Sequence, residues 1–245
     1  MKILIDNGHG ILTKGKRSPD GTLLEYAYTR ELARQIVSIL QSRGYDSELL
    51  VPEDDDIPLS ERVRRTNAHC QALGKSNVIL ISIHVNAAGD GSKWMNATGW
   101  SCYTCKGQTQ SDTLATCLCE AAIKNFPGRR IRTDFSDGDS DWEEQFYILR
   151  KSMCPAVLTE NFFIDNLQDR DYLQSRAGKQ AVSGVVIAMV CLFWIEPLGE
   201  ITYSAISIVS ELLVLCGAIL GVKASYDIKF HKFEAELLKK ADRHE

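Results

Sequence analysis

The chain has 245 residues, of which 44% are hydrophobic and 24% are charged. This composition is close to that of ordinary globular proteins, so it excludes disordered, collagen-like and coiled-coil chains. The 28 Lys and Arg residues against 32 Asp and Glu residues give a net charge of −4. We therefore expect no nucleic-acid partner, because such binding generally requires a basic surface. A chain of this length suits one large domain, or one domain with an appendage.

The N-terminus and the cysteines restrict the class of protein further. We expect no cleavable signal peptide, because Asp6 interrupts the N-terminal apolar run. The eight cysteines are too sparse for a disulfide scaffold. The pairs Cys102/Cys105 and Cys117/Cys119 have spacings that suggest a zinc knuckle. However, strand positions three apart point to opposite faces, and helix positions two apart lie ~200° apart around the axis. We therefore expect reduced, partly buried thiols there.

Predicted strands alternate with predicted helices before residue 197. The run 78–83 is continuous and β-branched, which is typical of a strand covered on both faces. The alternation predicts an α/β fold, a mostly parallel sheet with helices on both faces in a phosphorylase/hydrolase-like sandwich. The segment 128–146 is polar and rich in Gly and Asp, and is predicted to be a long loop. In chain order we expect a strand at 2–6, a helix at 24–43, a strand at 45–51, a helix at 60–73, strands at 78–83 and 99–105, a helix at 111–126, a strand at 156–159 and a last helix within 169–195.

The character of the chain changes after Pro197, where we place a domain boundary. The first domain is 1–197, and 198–245 is predicted to be a helical hydrophobic appendage with a charged tail. The stretch 201–222 would reach ~33 Å as a helix, about one hydrocarbon core. Glu211 in its middle is costly in lipid. The sequence therefore leaves four possibilities open for 201–222: membrane association, self-association, packing on the first domain, or disorder.

Four side chains with metal or proton chemistry lie at comparable places in this scheme. His9, His84 and Glu160 each follow a predicted strand, and Glu25 stands at the start of the first helix. Loops after the carboxyl ends of parallel strands converge on one edge of the sheet, so we expect these residues to be neighbours. Two His and one Glu are a common ligand set of catalytic Zn²⁺. A further carboxylate that does not bind the metal can carry protons. The pattern predicts ligands His9, Glu25 and His84, and Glu160 as the acid/base.

Each of these residues also has an ordinary structural interpretation. A single His after a strand is often only a hydrogen-bonding group, and Glu25 can complement the dipole of its helix. Glu160 can be an exposed loop carboxylate. The other three histidines, His69, His231 and His244, are expected on solvated surface.

The segments around the four residues form an ordered series of motifs over roughly 1–196. They read ILIDNGHG, LLEYAYTRELARQIV, VPEDDDIPLSERVRRTNAH, LISIHVNAA and FYILRKSMCPAVLTENFFIDN. The series resembles the zinc-dependent N-acetylmuramoyl-L-alanine amidases, which open on Asp-Pro-Gly-His-Gly and carry Ser-Ile-His-x-Asn-Ala further on. The sequence departs from the family pattern at three places: Asn7 replaces the usual Pro, Ile11 replaces the second Gly, and Asn161-Phe162 stands where the family commonly has a small residue near Gly-Phe.

The resemblance implies an enzyme that cleaves the amide between N-acetylmuramic acid and the L-alanine of peptidoglycan stem peptides. It implies Zn²⁺ held by His9, Glu25 and His84, with Glu160 as the catalytic carboxylate and 1–197 as the catalytic domain. The expected partner is peptidoglycan and the expected place of action is the cell wall, as for an autolysin or endolysin. Two alternatives stay open: a zinc carboxypeptidase or endopeptidase acting on the stem peptide, and a catalytically silent wall-binding module.

Three further roles follow from the resemblance. Asp6 is expected to orient a ligand His from behind, and Asn86 to donate a hydrogen bond to substrate carbonyls. A buried, turn-capping Asp and Asn are the structural alternatives. The loop 128–146 is expected either to form one wall of the cleft or to be a solvated loop.

Overall fold

The computed structural model describes residues 1–195, which contain six strands and six α-helices joined by loops. The predicted appendage 198–245 lies outside the described residues, as do His231 and His244. The strands are β1 (Lys2–Asn7), β2 (Asp46–Leu49), β3 (Val78–Asn86), β4 (Ser101–Thr104), β5 (Trp142–Glu143) and β6 (Ala156–Phe163). The helices are α1 (Glu25–Ser42), α2 (Leu59–Leu73), α3 (Gln110–Asn125), α4 (Tyr147–Lys151), α5 (Leu167–Gln174) and α6 (Arg176–Ile195).

The strands form one sheet in the order β2-β1-β3-β6-β4-β5. Strands β2, β1, β3 and β6 are parallel, whereas β4 pairs antiparallel with β6, and β5 runs parallel to β4. The predicted α/β fold with a mostly parallel sheet is therefore confirmed, with a reversed pair of strands at one edge. The central strands β1 and β3 are buried almost throughout, because helices cover both faces of the sheet.

Alternate residues of each strand face opposite layers, as the two-residue period of a strand requires. One layer packs Leu4, Leu80 and Leu158 of the sheet against α2 and α4, through buried residues such as Val63 and Ile148. Helices α1 and α3 take no part in that cluster and contact the sheet through β1, β3, β4 and β6. The core therefore lies in two apolar layers, one on each side of the sheet.

Two strands are longer than the sequence predicts, and this corrects the expected position of two site residues. Strand β3 continues to Asn86 and β6 to Phe163. His84 and Glu160 therefore lie within strands and are register partners across the β3–β6 pair, rather than residues that follow strand ends. The reason is that pairing between these two strands continues past the apolar run, through a bulge between His84 and Asn86.

Helix α6 is the one described helix that is long and apolar enough to cross a membrane, with a mean hydropathy of 1.3 over Arg176–Phe193. Half of that window is buried within the protein, as in the core helix of a soluble domain. Lys179 and Ser183 of α6 bond to side chains of α1, at 2.7 Å and 3.3 Å. Helix α6 thus contacts α1 through polar side chains.

The fold brings together one cysteine from each of the two pairs in the suspected knuckle. The Sγ atoms of Cys102 in β4 and Cys119 in α3 lie 3.4 Å apart in the core. Cys105 lies beyond the end of β4 and is half-buried, whereas Cys117 is buried. None of these four described cysteines forms a disulfide.

Candidate active site

The three side chains predicted to be metal ligands lie together near the carboxyl ends of β1 and β3. Glu25 Oε1 lies 3.2 Å from His84 Nδ1 and 3.4 Å from His9 Nε2. The two imidazole rings meet edge to face, with centroids 5.0 Å apart. One nitrogen or oxygen of each residue lies within 4.8 Å of the others, a spacing that a single ion can bridge. The structure thus brings the three predicted ligands together, and their role as ligands stays a prediction.

The backbone around Gly8 makes this approach possible. The Gly8 N–H donates to Ile83 O at 2.9 Å, which ties the loop to β3 beside His84. A Cβ on Gly8 would lie only 2.5 Å from Cε1 and Nδ1 of the His84 ring. His9 itself has a φ of 59°, in the left-handed region that is uncommon for residues other than Gly. The Gly8-His9 pair therefore forms a tight turn that presents the His9 imidazole to His84 and Glu25.

We expect Gly8→Ala to lower zinc affinity about 10–100-fold, the range for losing a contact that orients a ligand. The added methyl group would displace the His84 ring from its present position. Gly89→Ala is the matched control, because a Cβ there meets its nearest neighbour at an ordinary 3.5 Å. Zinc affinity measured by competition with a chromogenic chelator tests this. Equal affinities for both variants and the wild type would contradict it.

Arg62 holds the His9 loop from behind. Its guanidinium donates to Asp6 Oδ1 and Asn7 O, both at 2.6 Å, and to His9 O at 3.1 Å. The other oxygen of Asp6 accepts a 2.5 Å hydrogen bond from Ser82 Oγ. These bonds occupy both carboxylate oxygens of Asp6, and its predicted role in orienting a ligand His stays a prediction. Asp6 acts on the loop through Arg62.

We expect Asp6→Asn to destabilise the protein by about 3–5 kcal/mol, because it leaves the buried Arg62 charge without its counter-ion. Both side chains of this pair are almost fully buried. Asp46→Asn removes a carboxylate from the more exposed Lys2–Asp46 pair and serves as the control, with an expected loss of at most ~1 kcal/mol. Urea unfolding of the two variants measures the difference. Similar midpoints would refute the importance of the Asp6–Arg62 pair.

The charges of the three clustered residues are coupled. Burial lowers the pKa of His9 to about 4, despite the favourable charge of Glu25. Burial also opposes ionisation of Glu25, but the hydrogen bond and charge of His84 hold the pKa of Glu25 below its usual value. Although burial disfavours a charged His84, its hydrogen bond with Glu25 raises the pKa of His84. The cluster therefore presents an ionised carboxylate at Glu25 and a neutral imidazole at His9, whose nitrogen can bind a metal ion.

Glu160 lies opposite His84 in the β3–β6 register. Its Oε2 is shielded from solvent and has no hydrogen-bond partner. Burial raises the pKa of Glu160 to about 7, with opposing effects from the nearby charges of His84, Lys16 and Arg132. A carboxyl group in this state can both take up and release a proton near neutral pH, which is what a general acid/base needs.

Asn161 is a site residue that the sequence analysis assigned no role. Its Nδ2 donates to His84 O at 2.9 Å, and its Oδ1 accepts from Trp100 Nε1 at 3.0 Å. It therefore fixes the backbone of one predicted ligand from the neighbouring strand. The next residue, Phe162, has a φ of 64° and is buried against Phe126. A bulky residue at positive φ is a strained outlier, at the same place where the sequence departs from the family pattern.

The side chain of Asn86 bonds its own backbone neighbour, since its Oδ1 accepts a 2.8 Å hydrogen bond from Ala87 N. Its amide nitrogen is the atom that the predicted role requires. The predicted hydrogen bond from Asn86 to substrate carbonyls stays a prediction.

A pocket of about 440 Å³ opens beside the cluster and provides access to it. Its lining includes His9, His84, Asp56, Leu59 and Arg62, which come from the His9 loop, β3 and the start of α2. The segment 128–146 does not line this pocket. That segment lies close to the site through Arg132, whose charge acts on Glu160.

Comparison with known proteins bears on the family of the chain. A family model described as N-acetylmuramoyl-L-alanine amidase matches residues 3–191. The N-acetylmuramoyl-L-alanine amidase CwlM of Bacillus licheniformis is 30% identical over 183 residues, which cover 75% of this chain and 64% of that protein. An endolysin of Bacillus phage SPP1 is 28% identical over 176 residues, covering 70% of this chain and 58% of the endolysin. The chain thus spans less than two thirds of the length of these relatives.

Solved structures support the same fold. The crystal structure of an N-acetylmuramoyl-L-alanine amidase from Clostridium difficile 630 superposes with a TM-score of 0.65 and 23% identity, covering 79% of this chain and 96% of that one. The amidase AmiC2 of Nostoc punctiforme superposes with the same TM-score at 22% identity, over 79% of this chain and 97% of its own. At these identities the likeness establishes the fold alone. Together with the match over 3–191, it leads to one conclusion: the chain belongs to the N-acetylmuramoyl-L-alanine amidase family.

Proposed function

We propose that this protein is a zinc-dependent hydrolase that cleaves the amide between N-acetylmuramic acid and L-alanine in peptidoglycan. The observation that carries the proposal is the cluster of His9, Glu25 and His84, with Glu160 beside His84 in the sheet. Its membership of the amidase family supports the choice of substrate.

The residues present fit a zinc ion. Two imidazoles and one carboxylate are a donor set that Zn²⁺ commonly takes in catalytic sites. Glu25 Oε2 is buried without a hydrogen-bond partner, which is costly for a carboxylate oxygen unless a cation is bound. The absence of a side chain on Gly8 leaves room for the His84 ring that would bind the ion. When bound, zinc lowers the pKa of a water molecule and polarises a carbonyl group.

Glu160 is the residue we assign to proton transfer. Its pKa of about 7 allows its carboxylate to accept a proton from the attacking water. The same carboxyl group can then donate that proton to the leaving nitrogen of the cleaved amide, so that the peptide departs as an amine. Arg132 and Lys16 favour the ionised form of Glu160, which is the form that starts the cycle.

Peptidoglycan is the proposed partner and the cell wall the proposed place of action. The pocket beside His9 and His84 is the proposed entrance for the stem peptide. Asn86, at the end of β3, is proposed to donate a hydrogen bond to a substrate carbonyl through its amide nitrogen.

Product analysis of digested purified cell wall tests the proposed bond. We expect intact stem peptides with a new free amino group on L-alanine, and glycan strands with a free lactyl carboxyl group. A chelator should abolish release and added zinc should restore it. Shortened peptides would instead identify a stem-peptide carboxypeptidase or endopeptidase. Absence of any product, with wall binding retained, would identify a silent binding module.

The segment 201–222 lies outside the described residues, so the prediction for it comes from the sequence alone. We propose that it associates with a membrane or with a second copy of the chain. The full chain should then sediment with membranes or form oligomers without detergent, and a chain stopped after Pro197 should be soluble and monomeric. If both chains are equally soluble and monomeric without detergent, both forms of association are refuted, and packing on the parent domain remains.

A further inference from the structure

A second group of potential metal ligands lies apart from the His9/Glu25/His84 cluster. Asp112 belongs to the first turn of α3, while Asp139 and Asp141 belong to the segment before β5. One carboxylate oxygen from each lies within 4.8 Å of the other two. Asp112 is 7% exposed and Asp141 is 1% exposed. Two of the three carboxylates are therefore nearly removed from water.

The hydrogen bonds around the group leave oxygen atoms without partners. Oδ1 of Asp141 and Oδ1 of Asp139 are both shielded from solvent and accept no hydrogen bond. Thr104 Oγ1 lies 2.6 Å from Asp141 Oδ2 and 3.2 Å from Asp112 Oδ1, but a hydroxyl has only one proton to donate. The buried Asp141 side chain thus keeps one oxygen without a hydrogen-bond partner beside the other two carboxylates.

No described lysine or arginine forms an ion pair with any of the three carboxylates. Like charges this close disfavour ionisation: burial and Asp139 raise the pKa of Asp141 to about 7. The arrangement therefore calls for either a shared proton or a bound cation. The ligand atoms are all oxygens, which suit a hard cation rather than zinc. Ca²⁺ accepts an irregular shell of carboxylate, hydroxyl and backbone oxygens more readily than Mg²⁺, which requires near-ideal octahedral geometry.

We propose that Asp112, Asp139 and Asp141 form a Ca²⁺ site that is distinct from the zinc site. The site joins the start of α3 to the segment that leads into β5. Water molecules and backbone carbonyl groups complete the shell, as is usual for Ca²⁺.

Such an ion would hold the segment that carries Arg132. Asp141 directly precedes Trp142, whose Nε1 donates to Arg132 O at 3.2 Å. The Arg132 guanidinium lies over the Trp142 ring, 5.7 Å from its centroid. The charge of the same Arg132 acts on Glu160. The proposed Ca²⁺ therefore has a structural role: it holds in place the segment whose Arg132 acts on Glu160, the proposed proton carrier.

Equilibrium dialysis of the zinc-loaded full chain against CaCl₂, in buffers freed of other divalent ions, tests the proposal directly. We expect one Ca²⁺ per wild-type chain. Asp139→Asn and Asp141→Asn should each weaken binding by at least tenfold. Asp137→Asn is the matched control, because Asp137 is an exposed residue of the same segment outside the group and the change in net charge is the same. This control should bind like the wild type.

Thermal unfolding of the wild type with and without Ca²⁺ provides a second test, which remains valid even if the Asp139 and Asp141 variants fold poorly. At a Ca²⁺ concentration 100 times the dissociation constant, the wild type and Asp137→Asn should gain about 5–10 °C in Tm. Zinc content, measured on the same samples, should be unchanged, which separates this result from any failure of the proposed zinc site. Lack of Ca²⁺ binding by the wild type at millimolar concentrations would overturn the proposal and assign a shared proton to the carboxylates. Equal Ca²⁺ responses of the wild type and Asp141→Asn would overturn it as well.

Discussion

Glu160→Gln should keep zinc and the native fold while turnover falls ~10²–10⁴-fold, the usual contribution of a general acid/base. The amide of Gln has nearly the same shape as the carboxylate but cannot take up the proton of the attacking water. The substitution also replaces a buried carboxyl with an uncharged group, so we expect no loss of stability at neutral pH. The loss should appear in kcat rather than in binding of the wall.

Release of stem peptide from purified wall measures this effect, with zinc content and Tm measured on the same samples. Glu120→Gln is the matched control, because Glu120 is an exposed residue on α3. Near-wild-type turnover of Glu160→Gln would show that another group carries the proton. Loss of zinc from this variant would instead place Glu160 among the ligands.

His84→Ala should abolish stoichiometric zinc binding and, with it, activity. The substitution removes one of the three proposed ligands and also the side chain that hydrogen-bonds the buried Glu25 carboxylate. We expect the two proposed ligands that remain, His9 and Glu25, to be too few to hold the ion. Neither zinc nor imidazole added in excess should restore full turnover to the variant.

Metal analysis after dialysis measures zinc per chain, and circular dichroism verifies that the variant is folded. His69→Ala is the control, since His69 lies on α2, half-exposed, and pairs with Glu48 at 2.8 Å. It should retain one zinc ion and full activity. Retention of stoichiometric zinc by folded His84→Ala would exclude His84 from the ligand set.

The sequence predicted the mostly parallel sheet, helices α1 to α3 and the neighbourhood of His9, Glu25, His84 and Glu160. These predictions depend on local signals: apolar runs, helical periods, and the rule that ligands bind beyond the carboxyl ends of parallel strands. The sequence missed the short helix α4 and strand β5, which lies in the segment 128–146 that was predicted to be a loop. The exact ends of β3 and β6 could not be predicted, because the residues after their apolar runs are polar. His84 and Glu160 look like loop residues in the sequence but lie opposite each other in the register of the parallel β3–β6 pair.

The supporting contacts could not be predicted, because they join residues far apart in the chain. Arg62 meets Asp6 across 56 positions, and Asn161 meets His84 across 77. In the sequence, Arg62 stands out only as part of the segment VPEDDDIPLSERVRRTNAH, which resembles the family. Asn161 stands out only as a departure from the family pattern. The carboxylates of Asp112 and Asp141 likewise meet only because β4 and α3 bring distant segments together.

The register between His84 and Glu160 has a consequence for how such a site diversifies. Because two adjacent central strands set the separation of a proposed ligand and the proposed proton carrier, loop insertions elsewhere leave that separation unchanged. Local opening of these strands requires loss of the sheet core, so amide hydrogens at 84 and 160 should exchange with solvent only through near-global unfolding. The loop at 52–58 beside the pocket lies outside the sheet, and Arg30 and Arg62 donate hydrogen bonds to its backbone carbonyl groups. Substrate range can therefore change through the exposed side chains of that loop while the separation of His84 and Glu160 is kept.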